Sequence, residues 1–372
     1  MRGVSAALLL LLMCALLGGC RYSGEVENQA YVLVLGVDRL EDGRLALTAR
    51  IPKIGSGKGN EAKSDSGDSP FLTFTVAGGS WTQALEELQA ATPRSINLSH
   101  IEMLIVSAAV ASEEGFPALL NHIEETPHLY GTASLVTCEG RAMEFVKAGR
   151  TVIGSRMSAE IRAMLSHYAS QGYIPSSSLA DAYYLMNSFY SDPVSIWGFL
   201  EQEEGAPPDG ASAATPGILE SPMRQRYSGA ALFSGGRLVH ALSIGDTQLL
   251  NLIRGGSSAL PLICDGEPHE LMPDSPPVRQ VLFEDGHARL VVELGLSTLD
   301  DVCAQDTDRM EEALRRDVER LIRDCQAIDC EPFGFSEVAV GHFATISDWQ
   351  DSGWRQLYHS AEVDVRVHIR QR

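Results

Sequence analysis

The residues of this chain that could do chemistry are few, and the first is a thiol. Leu17-Gly18-Gly19-Cys20 closes an almost wholly apolar run, Val4 to Leu17, that follows Arg2. A charged start, an apolar stretch and small residues before a cleavage point make a secretory signal peptide, expected over residues 1–19. The run is shorter than the ~20 residues a helix needs to cross a bilayer. Leucine, two small residues and cysteine resemble a bacterial lipobox. There the Cys20 thiol takes a diacylglycerol and becomes the new N-terminus, palmitate being a typical acyl group. Acyl chains contribute about 0.8 kcal/mol per buried CH₂, so several of them anchor a soluble body.

Elsewhere the candidate chemistry dissolves. Gly55, Gly57 and Gly59 around Lys58 suggest a phosphate loop. Yet Pro52 stands where the first glycine belongs, and Gly59 where Ser or Thr should hold Mg²⁺. His269-Glu270 lies between Pro268 and Pro273, which deny it the helix a metalloprotease needs. His100-Ile-Glu102 has part of a zinc-deaminase pattern without the Pro-Cys-x-x-Cys that completes it. It reads instead as a strand with one polar face. The acids Glu201–Glu204 form a solvated charge run. Asp38 ends a strand, where catalytic carboxylates occur, but the adjoining turn gives it a simpler role. No Gly-x-Ser-x-Gly elbow is present. The expectation is a non-enzyme with no cofactor and no metal.

Charge and cysteine usage narrow the partners. The formal net charge is −20 over 372 residues, and loss of Arg2 with the leader takes it to −21. Such a chain repels DNA and RNA, whose binding rests on Lys and Arg neutralising phosphates. It also favours a body held away from anionic headgroups. With Cys14 in the leader and Cys20 on lipid, Cys138, Cys264, Cys303, Cys325 and Cys330 remain. Their odd number forbids complete internal pairing, and their spacing fits no zinc site. Cys325 and Cys330 could pair if a helix stops between them, though buried free thiols suit Cys as a small core hydrophobe.

The elements that would carry these residues read as follows. Tyr31 to Asp38 and Arg44 to Ile51 form a hairpin about Asp42-Gly43. Residues 55–70 are a flexible loop. A β-α-β-α-β order spans 71–138: strands at Phe71–Val76, His100–Val106 and Tyr130–Thr137, with helices at Trp81–Ala91 (Ser80 as cap) and after Ser112. Residues 151–200 read as a helical segment. Residues 201–222 carry Pro, Gly and acids without periodicity and read as a linker. Beyond it come hairpins at Gly235-Gly236 and Asp285-Gly286, with a short helix over Thr247–Ile253 between them. A helix over Asp306–Ile328 has one stripe of Met310, Leu314, Val318, Leu321, Ile322 and Cys325. A last strand over 362–370 buries Val363, Val365, Val367 and Ile369. This predicts an α+β (mixed α/β) chain in several subdomains: an N-terminal domain over 20–200 and a C-terminal domain over 223–372. Its hairpins are antiparallel with helices packed on sheets, and the long helix lies on an antiparallel sheet.

In order and spacing these features resemble the Ger(x)C lipoproteins, the C subunits of bacterial spore germinant receptors. The resemblance rests on Cys20, on VLVLGVD ending at Gly36 and Asp38, and on Ser99-His100-Ile-Glu-Met-Leu-Ile-Val106. It continues with Gly229-Ala-Ala-Leu-Phe233 and Leu238-Val239. It closes with the long helix, Phe333-Gly-Phe-Ser336, Trp349 and Trp354, and the final Val-alternating strand. Ser336 stands where a second glycine is usual, and Arg21-Tyr22-Ser23 replaces an aromatic–aspartate pair. The resemblance implies a mixed α/β fold and a non-catalytic subunit on the outer face of the spore inner membrane. Its partners would be a multi-pass A subunit and a membrane-embedded B subunit, in a complex that answers nutrients. Two other classes remain on the residues alone. A solute-binding lipoprotein of a membrane transporter predicts two doubly wound lobes around a cleft. An extracytoplasmic hydrolase predicts a concave cluster of perturbed acids or a metal.

Overall fold

The computed structural model describes residues 28–53, 71–149, 157–188, 191–202, 223–257, 259–264, 266–299 and 304–371. Cys20, the leader, the loop at 55–70 and Cys303 lie outside the described residues.

The first part opens with β1 (Gln29–Tyr31), β2 (Val34–Arg39), β3 (Leu45–Pro52) and β4 (Phe71–Gly78). It continues through α1 (Trp81–Ala90), β5 (Ser95–Asn97), β6 (Met103–Ser107), α2 (Ala108–Ala111), α3 (Phe116–Glu124) and β7 (Ser134–Cys138). Then come α4 (Ala142–Lys147), α5 (Met157–Ser170), α6 (Leu179–Met186), β8 (Val194–Gln202), β9 (Met223–Ser234) and β10 (Arg237–Leu242). The second part has α7 (Ile244–Arg254), β11 (Leu260–Cys264), β12 (Glu267–Pro273), β13 (Val278–Glu284) and β14 (His287–Thr298). It ends with α8 (Ala304–Ala327), α9 (Phe335–Ala339), a 3₁₀ turn, α10 (Ile346–Asp351), α11 (Trp354–Ser360) and β15 (Glu362–Gln371).

Eight strands form the first sheet, in the order β10-β9-β8-β7-β6-β2-β3-β4. Its β2–β3 hairpin turns at Gly43, whose φ of 83° suits glycine. The Arg44 amide donates to Asp42 Oδ1 at 3.1 Å and steadies that turn. The middle of the sheet departs from the hairpin pattern expected. β2 pairs with β6, β6 with β7 and β7 with β8, all in parallel. Parallel strands need crossovers, and α1 through α7 include the helices that provide them. They are covered on both faces, so successive residues face opposite cores. Leu104 and Val106 of β6 lie in one core with Trp81, Phe116 and Leu120. Met103 and Ile105 lie in the other with Phe145, Val146 and Ile161.

Three expectations change here. The segment 151–200 is not helical throughout: α5 and α6 are helices, but Val194–Gln202 is strand β8. VSIWGFLEQ is apolar on both sides because β8 is an interior strand, and that masks the period of two. Ser112 does not start a helix. It ends α2, and α3 starts after Gly115. Beyond Gln202 the expected linker 201–222 lies outside the described residues, and the strands on either side of it, β8 and β9, pair antiparallel. The first sheet therefore continues through β10 at Leu242, which displaces the boundary expected at 223.

The second sheet runs β11-β12-β14-β13, with β15 on the other edge of β14. The β13–β14 turn has Asp285 and Gly286 at φ 49° and 81°, as a tight two-residue hairpin demands. The sheet is not purely antiparallel. β15 joins β14 in parallel, Arg289 opposite Glu362 through Thr298 opposite Gln371. Across it lies α8, whose stripe Met310, Leu314, Val318, Leu321, Ile322 and Cys325 is buried, as are Val363, Val365, Val367 and Ile369 of β15. Each such side chain, fully buried, stabilises by about 1.5–3 kcal/mol before entropy is counted.

Candidate functional site

Asp38 and Glu331 are the carboxylates the fold treats most deliberately. Asp38 is 2% exposed at the end of β2. Its Oδ1 accepts from the Ala142 amide at 2.8 Å and its Oδ2 from the Met143 amide at 2.7 Å. It thus caps the first turn of α4 from another element, supplying acceptors for amides that a helix start leaves bare. Gly36, two residues earlier, permits the approach. A Cβ there would lie 2.9 Å from Val146 Cγ2 and 3.4 Å from the Ala142 carbonyl oxygen. The Gly-x-Asp pattern is therefore a helix-docking device, and the turn role expected for Asp38 is replaced by this cap. Burial raises the Asp38 carboxyl above its ordinary value, outweighing the two amides and the nearby Arg141 charge.

Glu331 follows α8 and is 4% exposed. Its Oε1 accepts from the amides of Phe333, Gly334 and Phe335 at 3.0, 2.9 and 3.1 Å. Its Oε2 accepts from the Ser336 amide at 3.1 Å and from the Ser336 and Ser191 hydroxyls, each at 2.7 Å. Gly334 turns the chain at φ 84°, and a Cβ there would meet Arg279 Nη1 at 2.5 Å. The Phe333-Gly-Phe-Ser336 motif is thus a loop wound around a carboxylate. Ser336 bridges onward, accepting from Trp354 Nε1 at 2.8 Å.

This node also joins the two parts of the chain. The Glu331 amide donates to Asp192 Oδ2 at 2.9 Å, and the Asp192 amide donates to the Glu331 carbonyl oxygen at 2.8 Å. Arg355 Nη2 donates to Asp192 Oδ1 at 2.6 Å. Desolvation raises the Asp192 carboxyl to about 6 in spite of Arg355. Nearby, Cys330 Sγ donates to the Phe233 carbonyl of β9 at 3.2 Å.

The remaining residues singled out by sequence scatter. His100 stacks edge-on against Tyr31, rings 4.9 Å apart. Glu102 is buried and pairs with Arg162 at 2.8 Å. His269-Glu270 lies in strand β12. Trp349 and Trp354 are 3% and 6% exposed, core rather than surface. Cys138, Cys264, Cys325 and Cys330 are free thiols, so Cys325 and Cys330 are not paired. Among the described residues no group of three or more His, Cys, Asp or Glu is placed to hold a metal ion. No described helix is long and apolar enough to cross a membrane. Sequence reasoning missed Glu331, Asp192 and Arg355. Only the Phe-Gly-Phe-Ser motif hinted at the first, and nothing local marks the other two.

With this geometry in place, the chain can be set beside known proteins. The family model described as the spore germination protein N-terminal domain matches residues 23–195. The one described as spore germination B3/GerAC-like, C-terminal, matches 290–372. Spore germination protein KC of Bacillus subtilis (strain 168) is 24% identical over 259 residues, 67% of this chain and 62% of that protein, so the match spans under two thirds of its length. The putative spore germination protein YfkR of the same organism is 21% identical over 374 aligned positions, 95% of this chain and 92% of the relative. The crystal structure of the GerBC protein shares the fold with a TM-score of 0.50 at 16% identity, covering 91% of this chain and 96% of that one.

Proposed function

Since the chain belongs to the GerAC-like spore germination family and has a role in spore germination, we propose that it is the lipid-anchored, non-catalytic C subunit of a germinant receptor. In this reading Cys20 carries the diacylglycerol and holds the body on the outer face of the cell membrane, the inner membrane of a spore. Multi-pass A and B subunits are its partners. The observation that carries the reading is the order of the two family matches, the first beginning at residue 23, just past Cys20.

Two further observations support it. The buried carboxylates Asp38 and Glu331 are occupied with backbone amides, work that suits a scaffold more than acid–base catalysis. The surface offers aromatic contact instead: Tyr130 and Tyr184 are each 58% exposed. They stand on segments joined by the Ala180 amide donating to the Gly131 carbonyl at 2.9 Å. Tyrosine suits partner contacts because it buries much area at little entropic cost. The solute-binding alternative predicts two doubly wound lobes, whereas the described residues build an eight-stranded mixed sheet, a five-stranded sheet and a two-stranded one.

The test is an affinity pull-down from detergent-solubilised membranes of sporulating cells, with Cys20→Ala alongside. Two multi-pass membrane proteins should co-purify with the native chain, and the Cys20→Ala chain should lose them or leave the membrane fraction. Recovery of a transporter permease, or of no membrane partner, would overturn the reading.

A further inference from the structure

A sheet that ends in an open strand offers a row of unpaired N–H and C=O groups to any other strand. Folded proteins blunt such edges with charge, proline or a bulge. Among the described residues the two larger sheets follow that rule at every edge but one. β10 carries Arg237 and His240 and a register shift between Leu238 and His240. β11 holds Pro261, and β13 holds Arg279 and Glu284. β15 carries Glu362, Asp364 and Arg366, and Glu311 Oε1 accepts from its Ile369 amide at 2.8 Å. The remaining edge is β4, Phe71-Leu-Thr-Phe-Thr-Val-Ala-Gly78, with no charge and no proline. Its register with β3 runs unbroken from Leu45 opposite Gly78 to Pro52 opposite Phe71. A neutral edge of this length is unexpected in a chain with 49 acidic residues against 29 Lys and Arg.

The free groups of β4 follow from the ladder beside it. The Arg44 and Arg50 carbonyls accept from the Leu40 and Leu33 amides, on the β2 side, at 2.9 and 3.0 Å. Backbone groups alternate in direction along a strand, so the even positions of β3 face β2 and the odd ones face β4. Ala49 lies opposite Phe74 and Leu47 opposite Val76. Phe74 and Val76 therefore bond to β3, and Thr73, Thr75 and Ala77 turn their N–H and C=O groups outward. Among the described residues no backbone hydrogen bond from outside the ladder reaches these three. Thr73 and Thr75 are exposed, and Leu72 between β3 and solvent is 43% exposed.

We infer that β4 pairs antiparallel with β4 of a second copy of this chain, joining two eight-stranded sheets into one. An antiparallel edge is self-complementary under a two-fold axis, so each copy supplies the donors and acceptors that the other lacks. The second copy brings only Thr, Ala, Gly and apolar residues to the seam, and no charge faces a like charge across it. Elsewhere the net charge of −20 on each copy opposes approach, which leaves this neutral strip as the place where two copies can meet. A single strand pairing is at the small end of protein interfaces, so the dimer is weak and reversible. It stands whether or not the chain assembles with membrane subunits.

Sedimentation velocity over a series of concentrations tests it, on the purified chain from Arg21 onward, which holds every described residue. A monomer–dimer equilibrium is expected. It should tighten as salt rises from about 0.1 M to about 1 M, which shortens the screening length from about 10 Å to about 3 Å. Hydrogen exchange should slow with concentration over Phe71–Gly78 and stay constant over β10. Thr73→Pro removes one outward N–H from each copy while the β3 ladder keeps its bonds, and should weaken the dimer at least about tenfold. Thr73→Asp keeps the backbone as it is, sets like charges at the seam, and should weaken the dimer too. That variant decides the matter if Thr73→Pro does not fold. A chain that stays monomeric at every concentration would leave the edge to a strand of another protein and overturn the inference. So would a dimer whose exchange over Phe71–Gly78 is unchanged, or one that Thr73→Asp leaves undisturbed.

Discussion

Asp38 and Glu331 are both buried, both accept backbone amides at a helix start, and serve connections of different reach. Asp38 accepts two amides and docks α4 onto its own sheet. Glu331 accepts four amides and two hydroxyls, and its own backbone is tied to Asp192 on the approach to β8. One carboxylate fixes a helix and the other fixes the meeting of two sheets. The number of donors spent on each follows the number of elements it has to hold. A loop of consecutive amides can surround a carboxylate only if the backbone turns back on itself, which Gly334 allows.

The difference can be broken by removing each acceptor in turn. Glu331→Ala leaves several buried amides bare, and each unsatisfied group costs about 1–3 kcal/mol. A loss of about 4 kcal/mol is expected in urea unfolding, together with earlier proteolysis between the two sheets. Asp38→Ala should cost about 2 kcal/mol, near the top of the range for a lost helix cap, with the sheet contacts kept. Equal losses for the two variants would contradict the contrast in reach.

A smaller effect sharpens it. Gly36→Ala puts a methyl 2.9 Å from Val146 Cγ2. Overpacking of this kind costs about 1–3 kcal/mol, and Val146→Ala should restore part of it. Failure of that rescue would mean that α4 does not need the close approach described.

The smallest effect concerns pH. The folded state holds the Asp192 proton more tightly than the unfolded chain, since burial lifts that carboxyl from 3.8 to about 6. The stability linked to it is complete below about 3.8 and lost as pH rises through about 6. Asp192→Asn should flatten the fall in melting temperature between those pH values. Its net effect at neutral pH is small, because the lost Arg355 bond offsets the relief of a buried charge. An unchanged slope would place the titration elsewhere.

Much of the fold was legible in local pattern. Asp42-Gly43, Gly235-Gly236 and Asp285-Gly286 mark their turns because only certain residues accept positive φ. The α8 stripe and the alternation of β15 survive because each element has one wet face. What was lost has a physical reason. Val194–Gln202 lies inside the first sheet, and burial on both faces erased the alternation that identifies a strand. Parallel pairing leaves no turn between its partners, so only the β-α-β order over 71–138 hinted at β6–β7, and no local signal announced β2–β6 or β7–β8. The Asp38 cap was half visible, as a strand-end carboxylate after a glycine. The Glu331 node was not, because Asp192 and Arg355 are 163 positions apart and meet only when both sheets are built.

The parallel seat of β15 beside β14 also sets an order in time. Its partners lie 73 positions apart, and the later one ends at Gln371. A chain that emerges from its amino end can form the β13–β14 hairpin at once, but α8 has no β15 to lie on until Glu362–Gln371 has been made. Pairing over such a separation closes a long loop before any contact rewards it, which makes it slow. The second sheet is therefore completed only once β15 has been made. Removal of Glu362–Gln371 would take from the long helix the strand it packs against.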